Sequence, residues 1–376
     1  MKLTTMHVFF FLCLYGFMAC NSSKKDNDTA FLPSDKKVTK ETAELFSTLK
    51  KRMESGIMLG HQDDLAYGND WFGEPGRSDV KAACGDYPAV FGWNIGNIEV
   101  DSVNNSDSIS FSRLRAYIKL INKIKCISIL NWRAHNPTIG IIQNQAETNF
   151  VRSILYNKSV QKEYIIYLDK IANFFNSLKD KDGNYIPIVF QPFNECNIPG
   201  KYWWSADKCT STEYKKIYAF TVNYLRDKKN IHHVLYLYSI QADTNVNVFT
   251  EYYPGNKYVD LVGVSLNLNQ DEDPTGKVYM QTLNQNLAVI SQFAEKNHKI
   301  AALSNTGMEG VKLPDYFSNY LYPIISQYKL SYIMFGKNTW NDEKHYFIPI
   351  QGHPASEDFK NFSKNTHILT YKKISL

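Results

Sequence analysis

The chain has 376 residues, 44% of them hydrophobic, which is enough to bury one large barrel or two ordinary domains. Its 42 basic and 37 acidic residues are mixed along the sequence for a net charge of +5, with no basic run of the kind that tracks a nucleic acid. An aromatic content of 14% suits stacking on flat ligands, and it equally suits a large aromatic core.

The first residues read as an export signal. Met1-Lys2 opens a short charged region, and the apolar stretch Val8 to Ala19 is too short to span a bilayer stably. It ends in Phe17-Met18-Ala19-Cys20, which resembles a bacterial lipobox, where the cysteine is acylated. Residues 1–19 are therefore expected to be a lipoprotein signal peptide and Cys20 the lipidated residue. Residues 20–38, polar and without apolar period, are expected to form a flexible tether, and 39–376 the folded domain. The chain is expected to be exported and held at the cell envelope, at the outer membrane or cell surface, touching membrane through its lipid alone. Cys84, Cys126, Cys196 and Cys209 match no zinc spacing.

Beyond the tether, an amphipathic helix is predicted over Thr42–Glu54. Apolar, β-branched or aromatic runs follow at Gly56–Gln62, Ala89–Ile95, Cys126–Trp132, Ile186–Pro192, His233–Tyr238, Leu261–Leu268, Lys299–Ser304 and Leu330–Phe335. Stretches of helical period lie between them at Ser112–Ile124, Val160–Leu178, Ser211–Arg226, Tyr279–Glu295 and Pro314–Ser326. Buried strands alternating with helices predict an α/β fold, a single (β/α)8 barrel. A doubly wound sheet is the rival, but Gly60-His61-Gln62-Asp63-Asp64 after the first strand is no phosphate-binding glycine turn. In a barrel, function gathers at the C-terminal strand ends. Those ends carry His61, Trp93, Trp132-Arg133, Asn194-Glu195, Ser239, Asn267, Asn305 and Gly336-Lys337-Asn338.

Six dispersed motifs carry a resemblance. They are Gly60-His61-Gln62-Asp63-Asp64-Leu65-Ala66-Tyr67-Gly68, Pro88 to Trp93, and Pro192-Phe193-Asn194-Glu195 followed by Tyr202-Trp203-Trp204. Asp207 to Thr210, Ala302-Leu303-Ser304-Asn305-Thr306-Gly307, and Pro349 to Phe359 with Gly352-His353-Pro354 complete the set. In order and at these spacings they resemble the family-26 glycoside hydrolases, mostly retaining endo-β-mannanases. The resemblance implies β-linked, mannan-type polysaccharide or oligosaccharide as the partner and no cofactor or metal. It also implies two carboxylates about 5–5.5 Å apart across the glycosidic bond. Glu195 falls at the acid/base position. His61, Trp93, Trp132, Asn194, Trp203, Trp204, Asn267 and Lys337 fall where substrate is held.

The pattern breaks at the nucleophile. Where the family has Glu, this chain has Asn305, a neutral carboxamide that neither attacks an anomeric carbon nor offsets oxocarbenium charge as an anion would. Nearby family positions change as well: His before the acid/base is Asn194, a strand-six Tyr is Asn267, and the Trp that floors the reacting subsite is Gly336. Glu309, Asp271 and Asp273 are the carboxylates that could stand in. Three readings follow: a glycan binder with impaired catalysis, an active β-mannanase using Glu195 with an unidentified second carboxylate, and a scaffold without ligand.

Overall fold

Each of the eight apolar runs forms a parallel strand, and the sheet closes on itself. In chain order the barrel strands are β1 (Ile57–Gln62), β2 (Val90–Asn94), β3 (Ile127–Trp132) and β4 (Ile188–Pro192). They continue as β5 (Val234–Gln241), β6 (Leu261–Leu268), β7 (Ile300–Met308) and β8 (Tyr332–Phe335). Closure is explicit in the register, because Gly60 of β1 lies opposite Val90 of β2 on one side and Met334 of β8 on the other. Such strands are buried on both faces, by the lumen and by the helices, which is why they read as continuous apolar runs and not as alternations. The computed structural model describes residues 31–136 and 149–375. The expected leader, Cys20 and the tether up to residue 30 lie outside these residues.

The helices of the outer ring include Lys40–Ser55, Phe111–Lys123, Lys158–Asn176, Ser211–Asn223 and Lys277–Asn297. Their starts are written in the sequence. Thr39 and Ser110 cap the first two, and Thr210 with Glu213 forms a reciprocal capping box on Ser211–Asn223. Two predicted ends are altered by π-helical turns, at Tyr224–Lys228 and Tyr316–Leu321. The sequence reading passed over the short strand Ile368–Leu369, which pairs with β1 at its N-terminal end.

The expected tether over 20–38 ends sooner than expected. The Ser34 amide donates to Asp260 at 2.6 Å, and buried Asp35 accepts from His232 at 2.7 Å. Burial raises the Asp260 carboxyl above its usual range, and the Ser34 and Tyr236 amides act against that rise. Polar composition suggested a free segment, but the Ser34 amide and the Asp35 carboxylate are tied to the barrel. Among the described residues, no helix is long and apolar enough to cross a membrane.

Candidate active site

The C-terminal ends of the strands enclose a cleft of about 440 Å³. Glu195 from the turn after β4 and Asn305 from β7 both line it, together with Asn194, Asn267, Lys337 and Arg133. The reason Glu195 reaches the cleft is local. Phe193 and Glu195 both have left-handed backbones, with φ of 52° and 53°, a conformation that non-glycine residues adopt at a cost. Buried aromatic side chains hold the turn in place: Tyr214 donates its hydroxyl to the Phe193 carbonyl at 2.9 Å, and Trp204 donates its indole N–H to the Asn194 carbonyl at 3.0 Å. The Glu195 amide closes the turn on the Ser239 carbonyl at 3.2 Å.

Both carboxylate oxygens of Glu195 are accepting. Ser265 Oγ donates to Oε1 at 2.9 Å, and Lys201 Nζ donates to Oε2 at 2.5 Å. In this arrangement both oxygens of Glu195 are held, one by Ser265 on the barrel wall and the other by Lys201 from the loop after β4.

Asn305 enters the cleft through a β-bulge. Along β6 and β7 the register runs Val264 to Leu303 and then Ser265 to Asn305, so Ser304 is an extra residue. Consecutive strand residues ordinarily point to opposite faces, and the bulge lets Ser304 and Asn305 both line the cleft. Ser304 is fixed by Ser239 Oγ at 2.5 Å and by the Val264 carbonyl at 2.9 Å. Because Ser265 is the register partner of Asn305 and a hydrogen-bond donor to Glu195, it links the two positions across the sheet.

The space beside Gly336 is filled by the ring of Phe347. A Cβ built on Gly336 would meet Phe347 Cδ2 at 2.7 Å, and one on Gly307 would meet Phe347 Cδ1 at 2.5 Å. Phe347 thus covers both glycines and contributes an apolar surface to the cleft.

Four expected sugar platforms need correction. Trp93, Trp132, Trp203 and Trp204 are all 0% exposed. Trp132 donates to Glu99 at 3.1 Å and Trp203 to the Ala134 carbonyl at 3.0 Å, while Trp93 stacks on Tyr117 at 5.4 Å. Trp132, Trp203 and Trp204 stitch the loops after β2, β3 and β4 together, Trp93 packs on the helix Phe111–Lys123, and none of the four presents a face to a ligand. His61 is likewise 0% exposed, with Nδ1 on Asp64 at 2.7 Å. Of the substitute carboxylates, Glu309 pairs with His345 and Asp271 with Lys312. Both line a neighbouring cleft of about 560 Å³ and not this one.

The sequence reading did not single out Asp107, Lys201 or Trp340. Asp107 lines the cleft and pairs with Lys337 at 2.5 Å. Trp340, half-buried, packs 4.5 Å from Phe72 and 4.8 Å from Tyr67. All three are in loops, where strand-end counting gives no signal. Arg133 did stand at a predicted strand end, and that rule was enough to find it. Beneath the cleft, burial pushes the Asp63 carboxyl up to about 7, helped by the charge of Asp107 and opposed by Lys337 and by the Tyr67 hydroxyl donated at 2.7 Å.

Comparison with known proteins agrees with this architecture. The model of glycosyl hydrolase family 26 matches residues 34–322. Among curated proteins, a mannan endo-1,4-beta-mannosidase of Bifidobacterium adolescentis is 30% identical over 304 residues, covering 78% of this chain and 29% of that protein. The chain thus spans less than a third of that relative's length. A Bacillus subtilis mannan endo-1,4-beta-mannosidase is 26% identical, with 68% of this chain and 71% of that protein aligned. Among solved structures, a GH26 beta-mannanase from Bacteroides ovatus superposes with a TM-score of 0.84 at 33% identity, covering 89% of this chain and 96% of that one. The chain belongs to glycosyl hydrolase family 26.

Proposed function

We propose that this barrel binds β-1,4-mannan-type polysaccharide in the cleft between Glu195 and Asn305 and cleaves it slowly or not at all. The family relationship supports the glycan class, since the relatives above are mannan-cleaving enzymes. The reading of impaired chemistry rests on Asn305, an amide that lines the same cleft as Glu195, at the position where the family resemblance implies the second carboxylate of retaining hydrolysis. Without an anion there, no glycosyl ester forms, and the oxocarbenium charge has no partner on that face.

One observation favours a second reading, an active retaining β-mannanase. Asp107 lines the same cleft, so it is the candidate for the missing carboxylate, although Lys337 now holds it. Product release from mannohexaose and galactomannan decides between the two. The unaltered protein should release little or nothing, and Asn305→Glu should raise release by roughly two orders of magnitude or more, the converse of losing a catalytic nucleophile. Substantial hydrolysis by the unaltered protein that vanishes in both Glu195→Ala and Asp107→Asn would establish the second reading.

We further propose that the chain is exported and lipid-anchored through Cys20. Residues Met1 to Cys20 support this by their charged start, short apolar stretch and lipobox-like end. Metabolic labelling with a fatty acid should mark the full chain and leave Cys20→Ala unlabelled.

A further inference from the structure

Building on the reading that the barrel mouth holds a glycan, we infer that the preferred glycan carries a carboxylate, received by Arg133. A neutral mannan offers only hydroxyls, yet this cleft is lined by three cations, Arg133, Lys201 and Lys337, against two carboxylates, Glu195 and Asp107. Each carboxylate already has its own lysine, Lys201 on Glu195 and Lys337 on Asp107, both at 2.5 Å. Arg133 makes no ion pair within 4.0 Å among the described residues, although the charges of Asp107 and Glu195 reach it. Its Nε is buried and has no hydrogen-bond partner among the described residues. A buried guanidinium N–H without an acceptor is unfavourable, and it is satisfied when a ligand supplies one.

The surroundings accommodate an anion beside sugar hydroxyls. Asn131, Gln191, Asn194 and Asn305 line the same cleft with amide groups that add no negative charge: their NH2 groups can donate to a carboxylate, and the buried Asn131 and Asn194 carbonyl oxygens, without a donor among the described residues, can accept from sugar hydroxyls. With an amide at 305, the anion that would repel a ligand carboxylate is missing. One ligand carboxylate makes the charges of the cleft even, and a guanidinium fork receives a carboxylate through two parallel hydrogen bonds.

The test compares two hexasaccharides that differ only at C6, β-1,4-mannohexaose and β-1,4-linked hexamannuronate, titrated calorimetrically into the purified full chain. An α-linked hexagalacturonate serves as a charged control of the wrong shape. The expected result is that hexamannuronate binds at least about tenfold more tightly than mannohexaose, as a charge-assisted bidentate contact would give. That preference should shrink with added sodium chloride, fall to roughly twofold or less in Arg133→Gln, and survive in part in Arg133→Lys. Thermal unfolding of each variant identifies one that has not folded; if Arg133→Gln fails, Arg133→Lys and the salt series decide. Mannohexaose binding as tightly as hexamannuronate would overturn the inference and leave the mannan reading standing. Equal binding of hexagalacturonate would overturn it as non-specific attraction, and full retention of the preference in Arg133→Gln would overturn the assignment to Arg133. Binding of none of the three would bring down the glycan reading as well.

Discussion

On the side of the mouth built by β2, β3 and β4, large aromatic side chains lie beneath the surface, and their N–H and O–H groups hold the turns above them. Trp132, Trp203, Trp204 and Tyr214 each spend their polar atom on Glu99, Ala134, Asn194 or Phe193. On the side built by β6, β7 and β8 the arrangement is reversed. A bulge brings Ser304 and Asn305 into the cleft together, Gly336 leaves a gap, and Phe347 arrives from a loop to fill it. The first side is a scaffold that fixes Glu195 in a left-handed turn; the second sets which groups share the cleft with that residue. A strand-end tryptophan can therefore serve the site without touching a ligand.

The largest effect should come from breaking the scaffold. Trp203 is fully buried and packs edge-on to Phe150 at 5.4 Å, Phe193 at 5.7 Å and Trp204 at 5.0 Å. Trp203→Ala should cost about 3–5 kcal/mol, as large aromatic-to-alanine changes in cores do, and lower the unfolding midpoint accordingly. A variant with an unchanged midpoint but no glycan affinity would show instead that Trp203 is a sugar platform.

A smaller effect tests the floor beneath both sides. Folded Asp63 keeps its proton up to about 7, whereas an unfolded aspartate releases it near 4. Between those values the folded state binds more protons, so stability is full below the lower one and falls as pH rises toward the upper one. Asp63→Asn, an uncharged stand-in for the protonated side chain, should remove this slope. Unfolding midpoints of the two proteins should therefore converge near pH 4, and the variant should gain relative to wild type by pH 8, by a few kcal/mol. A constant difference across that range would mean that Asp63 is ionised in the fold.

The barrel itself was legible because its strands are buried on both faces. Runs such as Ile127–Trp132 and Leu261–Leu268 are too apolar and too short for anything else in an alternating pattern. The positions of Glu195 and Asn305 in one cleft were legible too, since both close apolar runs. What periodicity could not convey was depth. Nothing in Tyr202-Trp203-Trp204 distinguishes rings facing a ligand from rings folded under a turn, because that depends on acceptors such as the Ala134 and Asn194 carbonyls brought from elsewhere. Loop contributions were equally hidden. Asp107 meets Lys337 across 230 positions of sequence, and Phe347 reaches Gly336 only after the chain has turned back.

The open side can be probed where Phe347 covers Gly336. Gly336→Trp should collide with Phe347 and cost about 1–3 kcal/mol, the usual penalty of overpacking. Adding Phe347→Ala should recover part of that loss, and the double-mutant cycle should show a coupling of about 1 kcal/mol or more. Additive effects would mean that the two positions do not share the space.

The smallest effect concerns the border of the open side, where Lys312 pairs with Asp271 at 3.0 Å. Their side chains are 49% and 80% exposed, so water screens the pair and ordering two mobile side chains offsets most of its attraction. Asp271→Ala should therefore move stability by less than about 0.5 kcal/mol. It should also leave the hydrolysis gained by Asn305→Glu unchanged, because Asp271 lines the neighbouring cleft and not the one that holds Glu195. A marked loss of that hydrolysis would show that the two clefts act as one site, and the division between a scaffold side and an open side would have to extend outward to include the loop after β6.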